Sequence, residues 1–250
     1  MTLQERAAQY SWYHDIEIAP GIRTPSPSPF RHIWDFIIRQ MSGVNFSGKS
    51  VMDVGCRDGL FSFEAEALGA SVVVGIDNDL SAGAVEFLIP HFGSKVRMHE
   101  KNLLLLDPGA DGPYDIAMMF GVLYHLRYPF YGLRRVLDIV KPGGLLLIEG
   151  GMFSGIEDIP LMYCPWKDSP YEPGSPSFFN LKGLSAALDS MGATLRSKAW
   201  LPGSDVRPGT QESVRRGFFV FEKTHTTPEH LHQYWDLNHG CQSGKGDVIR

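Results

Sequence analysis

The stretch that decides the fold is VMDVGCRDGLFSFEAEALGA, residues 51–70. It begins with an apolar run typical of a strand, continues through Gly55 and Gly59, and ends in a helix pattern that stops at Gly69. Glycines at such a turn let the backbone approach a ligand closely at the carboxyl edge of a sheet. The spacing is neither GxGxxG nor a P-loop, because GK followed by Ser or Thr is absent. The stretch predicts a ligand-binding strand–turn–helix, with an ordinary structural corner as the alternative.

The chain around this loop alternates between short apolar runs and helix patterns. We predict strands over residues 50–55, 71–77, 95–100, 114–120 and 145–150. We predict helices over residues 60–70, 81–92, with Ser81 as the cap, and 128–140, stopped by Pro142 and two glycines. Continuous apolar strands that alternate with helices are typical of a parallel sheet covered on both faces.

Further elements complete the predicted sheet. A helix pattern covers residues 181–191, and two strand patterns follow at 193–201 and 215–223. We expect these two strands to pair antiparallel. The arginine pairs Arg134–Arg135 and Arg215–Arg216 are isolated, and we interpret them as solvated faces.

We assign the α/β domain to residues 46–223. Two regions flank this domain and a third interrupts its alternation of strands and helices. Residues 1–45 hold a proline tract and a helix pattern, and we expect an N-terminal helical and proline-rich lid. Residues 151–179 hold five prolines and six aromatic residues, and an insert of this length is usually functional. Residues 224–250 form a polar tail. The apolar positions that predict the N-terminal helix are Phe30, Ile33, Trp34, Ile37, Ile38 and Met41.

Composition excludes several classes of protein. The 250 residues are 43% apolar, too many for a disordered chain, and no run of 18 apolar residues predicts a membrane span. Residues 1–9 lack the apolar segment of a secretory signal. The net charge of -5 gives no basic excess for nucleic acid. Since Cys56, Cys164 and Cys241 form no CxxC pair, we expect a reduced, cytoplasmic protein.

Four histidines crowd the end of the chain. A bound metal needs a fixed geometry and usually a carboxylate or thiolate ligand, whereas terminal segments are commonly solvated. We therefore predict no metal site there or elsewhere. The four are His225, His230, His232 and His239.

Two acids end neighbouring strands of the predicted sheet. Asp53 precedes the glycine turn, and Asp77 ends the next strand 24 residues later. A carboxylate at the first place suits a cationic amine, and one at the second suits a ribose diol. The two sites in register point to a nucleotide-like ligand more strongly than the glycines do.

A third stretch, FGVLYHLRYP at residues 120–129, is followed by a KPGG turn at 141–144. With these residues the chain resembles the class I S-adenosylmethionine-dependent methyltransferases, in which the VxDxGCxxG loop, the GID strand end and both later motifs occur in this order. The resemblance covers residues 47–150 well and extends weakly to Lys223. It implies a Rossmann-like α/β fold with a seven-stranded, mostly parallel sheet of order 3-2-1-4-5-7-6, strand 7 being antiparallel. It also implies S-adenosyl-L-methionine as donor and S-adenosyl-L-homocysteine as product.

The resemblance assigns parts of the donor to parts of the chain. The glycine loop would line the methionine portion, Asp77 the ribose, residues 102–103 the adenine and residues 120–121 the methionine amine. Arg57 stands where a glycine is common, and Asn102 where an Asp is frequent. The full expected set is Asp53, Gly55, Cys56, Arg57, Gly59, Asp77, Asn78, Asn102, Leu103, Phe120 and Gly121.

The start of the chain carries a closer resemblance. WYHDIEIAPGIRT at residues 12–24, the pair Trp34–Asp35 and the FGVLYHL motif look like the catalytic domain of the tRNA wobble-uridine carboxymethyltransferases and their small-molecule relatives. Those enzymes carry a Lys before the Trp–Asp pair, which meets the extra carboxylate of their donor. Here the position holds Ile33, or Arg31 if the gap is placed differently. An apolar residue cannot neutralise a carboxylate, so we favour ordinary S-adenosylmethionine.

Two residues after the fourth strand are candidates for catalysis. His125 would act as the base for a hydroxyl acceptor, or else shape the turn through backbone hydrogen bonds. Tyr124 would orient donor or acceptor through its hydroxyl.

Acceptor contacts are expected from both flanking regions. Tyr163, Trp166 and Tyr171 of the insert would stack on a sugar or ring, or would form a lid core that excludes water. Residues of the first region would close the other side of the pocket, or would form a structural cap: Trp12, His14, Arg23 and Thr24.

These observations predict a methyltransferase that acts on a hydroxyl of a small molecule, such as a sugar or natural product. One alternative is a tRNA wobble-uridine (carboxy)methyltransferase, which the acidic balance disfavours. Another is a non-catalytic protein that binds the donor. The expected partner is a small-molecule acceptor, without membrane and with nucleic acid disfavoured.

Overall fold

One seven-stranded sheet with helices on both faces forms the centre of the fold. The computed structural model describes residues 1–165, 169, 174–203 and 214–226. The strands are β1 (Glu17–Ala19), β2 (Ile22–Arg23), β3 (Ser50–Val54), β4 (Val72–Asp77), β5 (Arg97–Glu100), β6 (Tyr114–Phe120), β7 (Val140–Phe153), β8 (Met162–Tyr163), β9 (Phe178–Phe179), β10 (Ala193–Trp200) and β11 (Val214–Lys223). The α-helices are α1 (Leu3–Ala7), α2 (Arg31–Met41), α3 (Leu60–Ala67), α4 (Ile89–Phe92), α5 (Pro108–Asp111), α6 (Pro129–Asp138) and α7 (Leu181–Ser190).

The order of strands in the large sheet is β10-β11-β7-β6-β3-β4-β5. Strand β3 lies parallel to β4 on one side and to β6 on the other, and β7 lies parallel to β6. Strand β11 runs antiparallel to both β7 and β10. The predicted order, with one antiparallel strand next to the edge, is confirmed.

Apolar residues explain why the central strands are buried on both faces. Met52 belongs to a core covered by α6 and α7, and its neighbour Val51 belongs to a second core covered by α2 and α3. Alternation along a strand sends successive side chains to opposite faces, so a strand covered on both sides is apolar throughout. Within the described ranges, no helix is both long and apolar enough to cross a bilayer.

The N-terminal region packs against one edge of the sheet domain. Helix α1 begins with a capping box formed by Thr2 and Glu5, and β1 and β2 form a short hairpin. Trp12 is buried against Phe87, and its indole N–H donates to the carbonyl of Ala7 at 2.7 Å. The predicted helix of this region is confirmed as α2.

Some predicted boundaries are wrong. Strand β7 begins at Val140, so the KPGG motif lies inside it and forms an irregularity where the pairing passes from Tyr114–Val140 to Ile116–Leu145. Gly143 allows this because its φ is +75°. Helix α6 therefore ends at Asp138, before the proline.

The sheet domain holds two more differences. The predicted helix 81–92 contains a π-helical turn at Ala84–Leu88, although Ser81 does cap it, accepting from the N–H of Ala84 at 3.4 Å. The described part of the insert contains strands that were not predicted, since β7 runs into it as far as Phe153 and β8 pairs with β9.

Candidate functional site

The loop after β3 folds back on the end of β4. Gly55 has a φ of +81°, and a Cβ atom there would lie 2.3 Å from the side chain of Val122, so only glycine fits. Asp77 accepts the backbone N–H of Arg57 at 2.9 Å through Oδ2. Arg57 itself has a φ of +48°, which places a non-glycine residue in the left-handed region. The loop shape that glycine commonly supports is therefore kept by hydrogen bonding to Asp77.

A cavity of about 520 Å³ lies at the carboxyl edge of β3, β4 and β6. Eight of the eleven residues predicted to bind the donor line it: Gly55, Arg57, Asp77, Asn78, Asn102, Leu103, Phe120 and Gly121. The cavity also contacts residues that were not predicted for the donor, including Lys101 and the apolar side chains of Ile76 and Phe61. Lys101 forms an ion pair with Asp111 at 2.5 Å.

The other three predicted donor residues do not line this cavity. Asp53 and Cys56 are buried, each 1% exposed, and Gly59 is packed against the side chains of Met98 and Phe63. Their contact with the donor stays a prediction that the lining does not support.

Asp53 has an unusual environment for an acid. Its carboxylate accepts the hydroxyl of Ser62 at 2.6 Å. Burial, opposed by the hydrogen bond from Ser62 and assisted by the charge of Asp77, raises the pKa of Asp53 to about 7. Burial likewise raises the pKa of the Cys56 thiol.

A second cavity of about 220 Å³ adjoins the first. The two share five lining residues, Tyr13, His14, Phe61, Phe120 and Gly121. The remainder of the second cavity combines an aromatic and aliphatic wall with a polar end. The wall consists of Phe30, Ile33, Trp34 and Ile37, and the polar end consists of Tyr124, Glu149 and Arg216.

Glu149 and Arg216 form a buried ion pair with two contacts. Nε of Arg216 lies 2.7 Å from Oε1 of Glu149, and Nη2 lies 2.7 Å from Oε2. Nη1 of Arg216 lies 3.4 Å from the hydroxyl of Tyr124. The interpretation of Arg216 as a solvated residue is wrong, because it is only 8% exposed. Sequence reasoning missed both residues, although an acid within the apolar run LLLIEG was a signal for Glu149.

The two catalytic candidates lie on different sides of the boundary between the cavities. Tyr124 is buried, lines the smaller cavity and stacks on Phe178 with ring centroids 6.0 Å apart. His125 lines the larger cavity and is exposed, with Nδ1 3.5 Å from the carbonyl oxygen of Gly174. Both the base role and the turn role of His125 stay predictions.

Of the predicted acceptor residues that the structure describes, only His14 lines the cavities. Trp12 packs in a cluster of buried apolar residues, and Arg23 forms ion pairs with Asp15 and Glu17. The hydroxyl of Thr24 donates to the carbonyl of His14 at 2.7 Å.

The acceptor residues predicted in the insert fall into two groups. Tyr163 stacks on Phe153 with centroids 5.3 Å apart and lines neither cavity. Trp166 and Tyr171 lie outside the described residues.

Asp58, within the glycine loop, holds the N-terminal region against the site. Its Oδ2 atom accepts the backbone N–H groups of Tyr13 and His14 at 2.6 Å each. The carboxylate is fully buried, which opposes ionisation, but the hydrogen bonds from His14 and Tyr13 keep the pKa of Asp58 below its usual range. No sequence prediction assigned a role to Asp58.

The residues present fit a bound S-adenosylmethionine. The cavity volume lies within the usual range for small-molecule sites, about 300–1,000 Å³. The two oxygens of Asp77 each accept one backbone N–H, from Arg57 and Asp79, and a carboxylate can accept more hydrogen bonds than these. Gly55 has no side chain and lines the cavity with its backbone.

The fold and the donor cavity define a class of protein, the class I S-adenosylmethionine-dependent methyltransferases. More particularly, the chain belongs to the methyltransferase domain family whose sequence model matches residues 30–198. S-adenosylmethionine is the cofactor of this family.

The curated relatives match part of the chain. A tRNA U34 carboxymethyltransferase of Helicobacter acinonychis is 31% identical over 137 residues, 54% of this chain and 50% of the relative. Another of Psychromonas ingrahamii is 27% identical over 187 residues, 67% of this chain and 55% of the relative. The chain thus spans about half the length of these relatives.

Solved structures share the fold at low identity. The N-terminal domain of EvdMO1 with SAH bound has a TM-score of 0.63 at 16% identity, covering 88% of this chain and 95% of that domain. The Burkholderia thailandensis 1,6-didemethyltoxoflavin-N1-methyltransferase, with its substrate and S-adenosylhomocysteine bound, has a TM-score of 0.57 at 19% identity, covering 78% and 82%.

Proposed function

We propose that this enzyme transfers a methyl group to a hydroxyl of a small molecule that binds in the 220 Å³ cavity. The observation that carries the proposal is the adjacency of the two cavities, which share five lining residues. Methyl transfer requires donor and acceptor to meet in line with water excluded. Two adjoining cavities with a partly aromatic boundary meet that requirement.

The lining of the smaller cavity supports a ring-shaped, polar acceptor. Its volume lies below the range usual for drug-sized ligands, so it suits a single ring or one end of a larger molecule. Trp34 and Phe30 offer aromatic faces on one side. Glu149 and Arg216 offer acceptor and donor atoms at the other end. A sugar or a hydroxylated aromatic ring combines a flat face with polar edges in this way.

Residues of the chain would divide the work of binding and orientation. Bound S-adenosylmethionine supplies an already activated methyl group on sulfur. Asp77 would hold the ribose hydroxyls, Asn102 and Leu103 would flank the adenine, and the backbone at Gly121 would meet the methionine amine. Tyr124 would orient the acceptor through its hydroxyl, and the aromatic boundary would keep water out.

Our proposal keeps the predicted division of the chain. Residues 1–45 would act as the lid, residues 46–223 as the methyltransferase domain with its acceptor-side insert at 151–179, and residues 224–250 as the tail. Asp58 supports the lid role, because it ties residues 13 and 14 to the donor loop. A reduced, cytoplasmic location belongs to the same proposal, and the free cysteines Cys56 and Cys164 agree with it.

A second candidate function is carboxymethyl transfer to a tRNA wobble uridine. The observation that favours it is Arg216, a buried cation beside Tyr124 at the smaller cavity. The curated relatives carry this activity in their names. Against it stand the contacts of Arg216 with both oxygens of Glu149, which already balance its charge, and Ile33 in the cavity wall.

The test is a transfer assay with S-adenosylmethionine carrying a radiolabelled methyl group. One arm of the assay offers a panel of sugars, sugar nucleotides and hydroxylated aromatic compounds. The other arm offers unmodified tRNA, with S-adenosylmethionine or with its carboxylated analogue as the donor. We expect label in the small-molecule arm at a hydroxyl oxygen, located by mass spectrometry. Transfer to tRNA alone, or transfer only from the carboxylated donor, would replace this proposal with the second candidate.

A further inference from the structure

We propose that His14 is the general base of the transfer and that Asp58 is the residue that positions it. The inference rests on the proposed function, since only a hydroxyl acceptor has a proton that must be removed. It differs from the sequence prediction, which gave the base role to His125.

His14 lies at the boundary between the two cavities. It is one of the five residues that line both, and it is only 4% exposed. Its ring is enclosed by aromatic side chains, with centroid distances of 5.0 Å to Trp34 and 5.5 Å to Phe61. These contacts hold the imidazole in one orientation, as a group that acts on a bound acceptor requires.

The carboxylate of Asp58 lies beside the imidazole ring of His14. Oδ2 of Asp58 lies 3.4 Å from Nδ1 of His14, and the backbone N–H of His14 donates to the same oxygen at 2.6 Å. In the structure this contact does not have hydrogen-bond geometry, and we expect it to tighten when ligands bind, as contacts of catalytic groups often do. A carboxylate beside Nδ1 favours the tautomer with the proton on Nδ1 and leaves the lone pair on Nε2. The carboxylate would also stabilise the imidazolium formed during the reaction.

The other groups near the cavities are less suited to this role. Both oxygens of Glu149 already accept hydrogen bonds from the guanidinium of Arg216. His125 is exposed and lines only the larger cavity, and its Nδ1 is nearest the carbonyl oxygen of Gly174. His14 alone among these three combines a boundary position with an adjacent carboxylate.

The proposed step balances atoms and charge. The acceptor oxygen forms a bond to the methyl carbon while the bond between methyl and sulfur breaks, and that electron pair stays on sulfur. The hydroxyl proton passes to Nε2 of His14, so the imidazole becomes cationic as the sulfonium becomes neutral. The imidazolium returns its proton to solvent after product release.

The first test does not depend on knowing the acceptor. Long-range proton–nitrogen NMR of the full protein labelled with ¹⁵N-histidine distinguishes the two neutral tautomers, and the His14→Gln variant assigns the signal. His32→Gln, an exposed position on α2, is the matched control. We expect the Nδ1–H tautomer. We also expect Nε2 to shift when sinefungin binds, because its amine replaces the transferred methyl, and to shift much less with S-adenosylhomocysteine. An Nε2–H tautomer, or equal shifts with the two ligands, would overturn the inference.

The second test uses an acceptor found by the transfer assay. His14→Gln keeps the backbone N–H to Asp58 and should lower kcat by about 10²–10⁴-fold, the range for loss of a general base. Asp58→Asn keeps an oxygen for the backbone hydrogen bonds and should lower kcat by less, with the KM for the donor unchanged. Normal kcat in correctly folded His14→Gln would overturn the base role.

The two proposals can fail separately. If the NMR result is contrary while small molecules are methylated, only the assignment of His14 fails. If no hydroxyl compound is methylated although the tautomer is as expected, the proposed function fails and the base role fails with it.

Discussion

Arg216 on β11 reaches across to Glu149 on the adjacent β7, and the two side chains meet through two contacts of 2.7 Å each. The pair is not directly opposite in register, since Arg216 faces Gly151 and Glu149 faces Phe218. The long arginine side chain spans this diagonal along the sheet. It brings a buried charge pair to the polar end of the smaller cavity, which both side chains line.

Removing one partner of this ion pair should destabilise the protein more than replacing both partners. Glu149→Leu or Arg216→Met alone leaves one buried charge without its partner and should lower the free energy of unfolding by about 3–5 kcal/mol. The double variant should recover most of that loss. Urea unfolding measures all three. Arg196→Met, which breaks the more exposed pair with Glu222, is the control and should cost at most about 1 kcal/mol.

Asp58 should matter for stability through hydrogen bonding. Asp58→Ala leaves the buried N–H of His14 and that of Tyr13 without an acceptor, at about 1–3 kcal/mol for each buried group. Asp58→Asn retains an acceptor oxygen and should cost clearly less. Thermal and urea unfolding give the comparison. Equal losses for the two variants would show that charge, and not hydrogen bonding, holds the N-terminal region.

Asp77 is expected to bind the donor. Asp77→Ala removes the acceptor of the ribose hydroxyls and should weaken S-adenosylmethionine binding by about 1.5–3 kcal/mol for each lost bond. Glu100→Ala is the matched control, because Glu100 pairs with Asp77 in register at the same edge but does not line the cavity. Calorimetry with unchanged affinity for Asp77→Ala would contradict the assignment.

Donor choice should follow the residue at position 33. Ile33 lines the smaller cavity, whereas Arg31 is half exposed and pairs with Asp15 at 3.3 Å. We expect S-adenosylmethionine to bind at least as well as its carboxylated analogue. Ile33→Lys should move the preference toward the analogue by about tenfold, since a charged hydrogen bond is worth about 1.5–3 kcal/mol.

Competition binding checks this preference, with Arg31→Met as the control. A wild-type preference of tenfold for the carboxylated donor would contradict the prediction and favour the second candidate function. Arg216→Met would then show whether the buried cation is responsible.

Asp53 predicts a particular dependence of stability on pH. Its folded-state pKa of about 7 lies above the ordinary value of about 4, so the folded protein binds the proton more tightly. The stability contributed by this proton is present below about pH 4 and is lost as the pH rises to about 7. Asp53→Asn resembles the protonated form, so its advantage over wild type should grow across this window to at most about 4 kcal/mol. Urea unfolding at pH 5 and pH 8 measures it; a constant difference would contradict the raised pKa.

Much of the fold could be predicted because its signals are local. The apolar runs of β3, β4 and β6, and the glycines between β3 and α3, each act over fewer than about ten residues. The KPGG motif misled the prediction because an irregular strand and a turn have the same local composition. Only the pairing of β7 with β6 decides between them.

The donor side of the site was also largely readable from sequence. Asp77 is the last residue of β4 and Gly55 directly follows β3, and the carboxyl ends of these strands meet at one edge, so the positions of both residues follow from the alternation itself. Asp53 shows the limit of this reasoning. Alternation places it near the edge, but only the packed structure shows that it is buried and that Ser62 binds its carboxylate.

The sequence by itself determined the class of fold and the edge of the sheet where the polar strand ends meet, because these depend on periodicity and on short motifs, and the family resemblance implied the order of the strands. Tertiary structure alone decided which residues meet at the smaller cavity. His14 and Asp58 are 44 residues apart in the chain, and Glu149 and Arg216 are 67 apart. Contacts over such separations depend on how helices and strands pack. No local sequence pattern predicts which distant residue will pair with a buried charge.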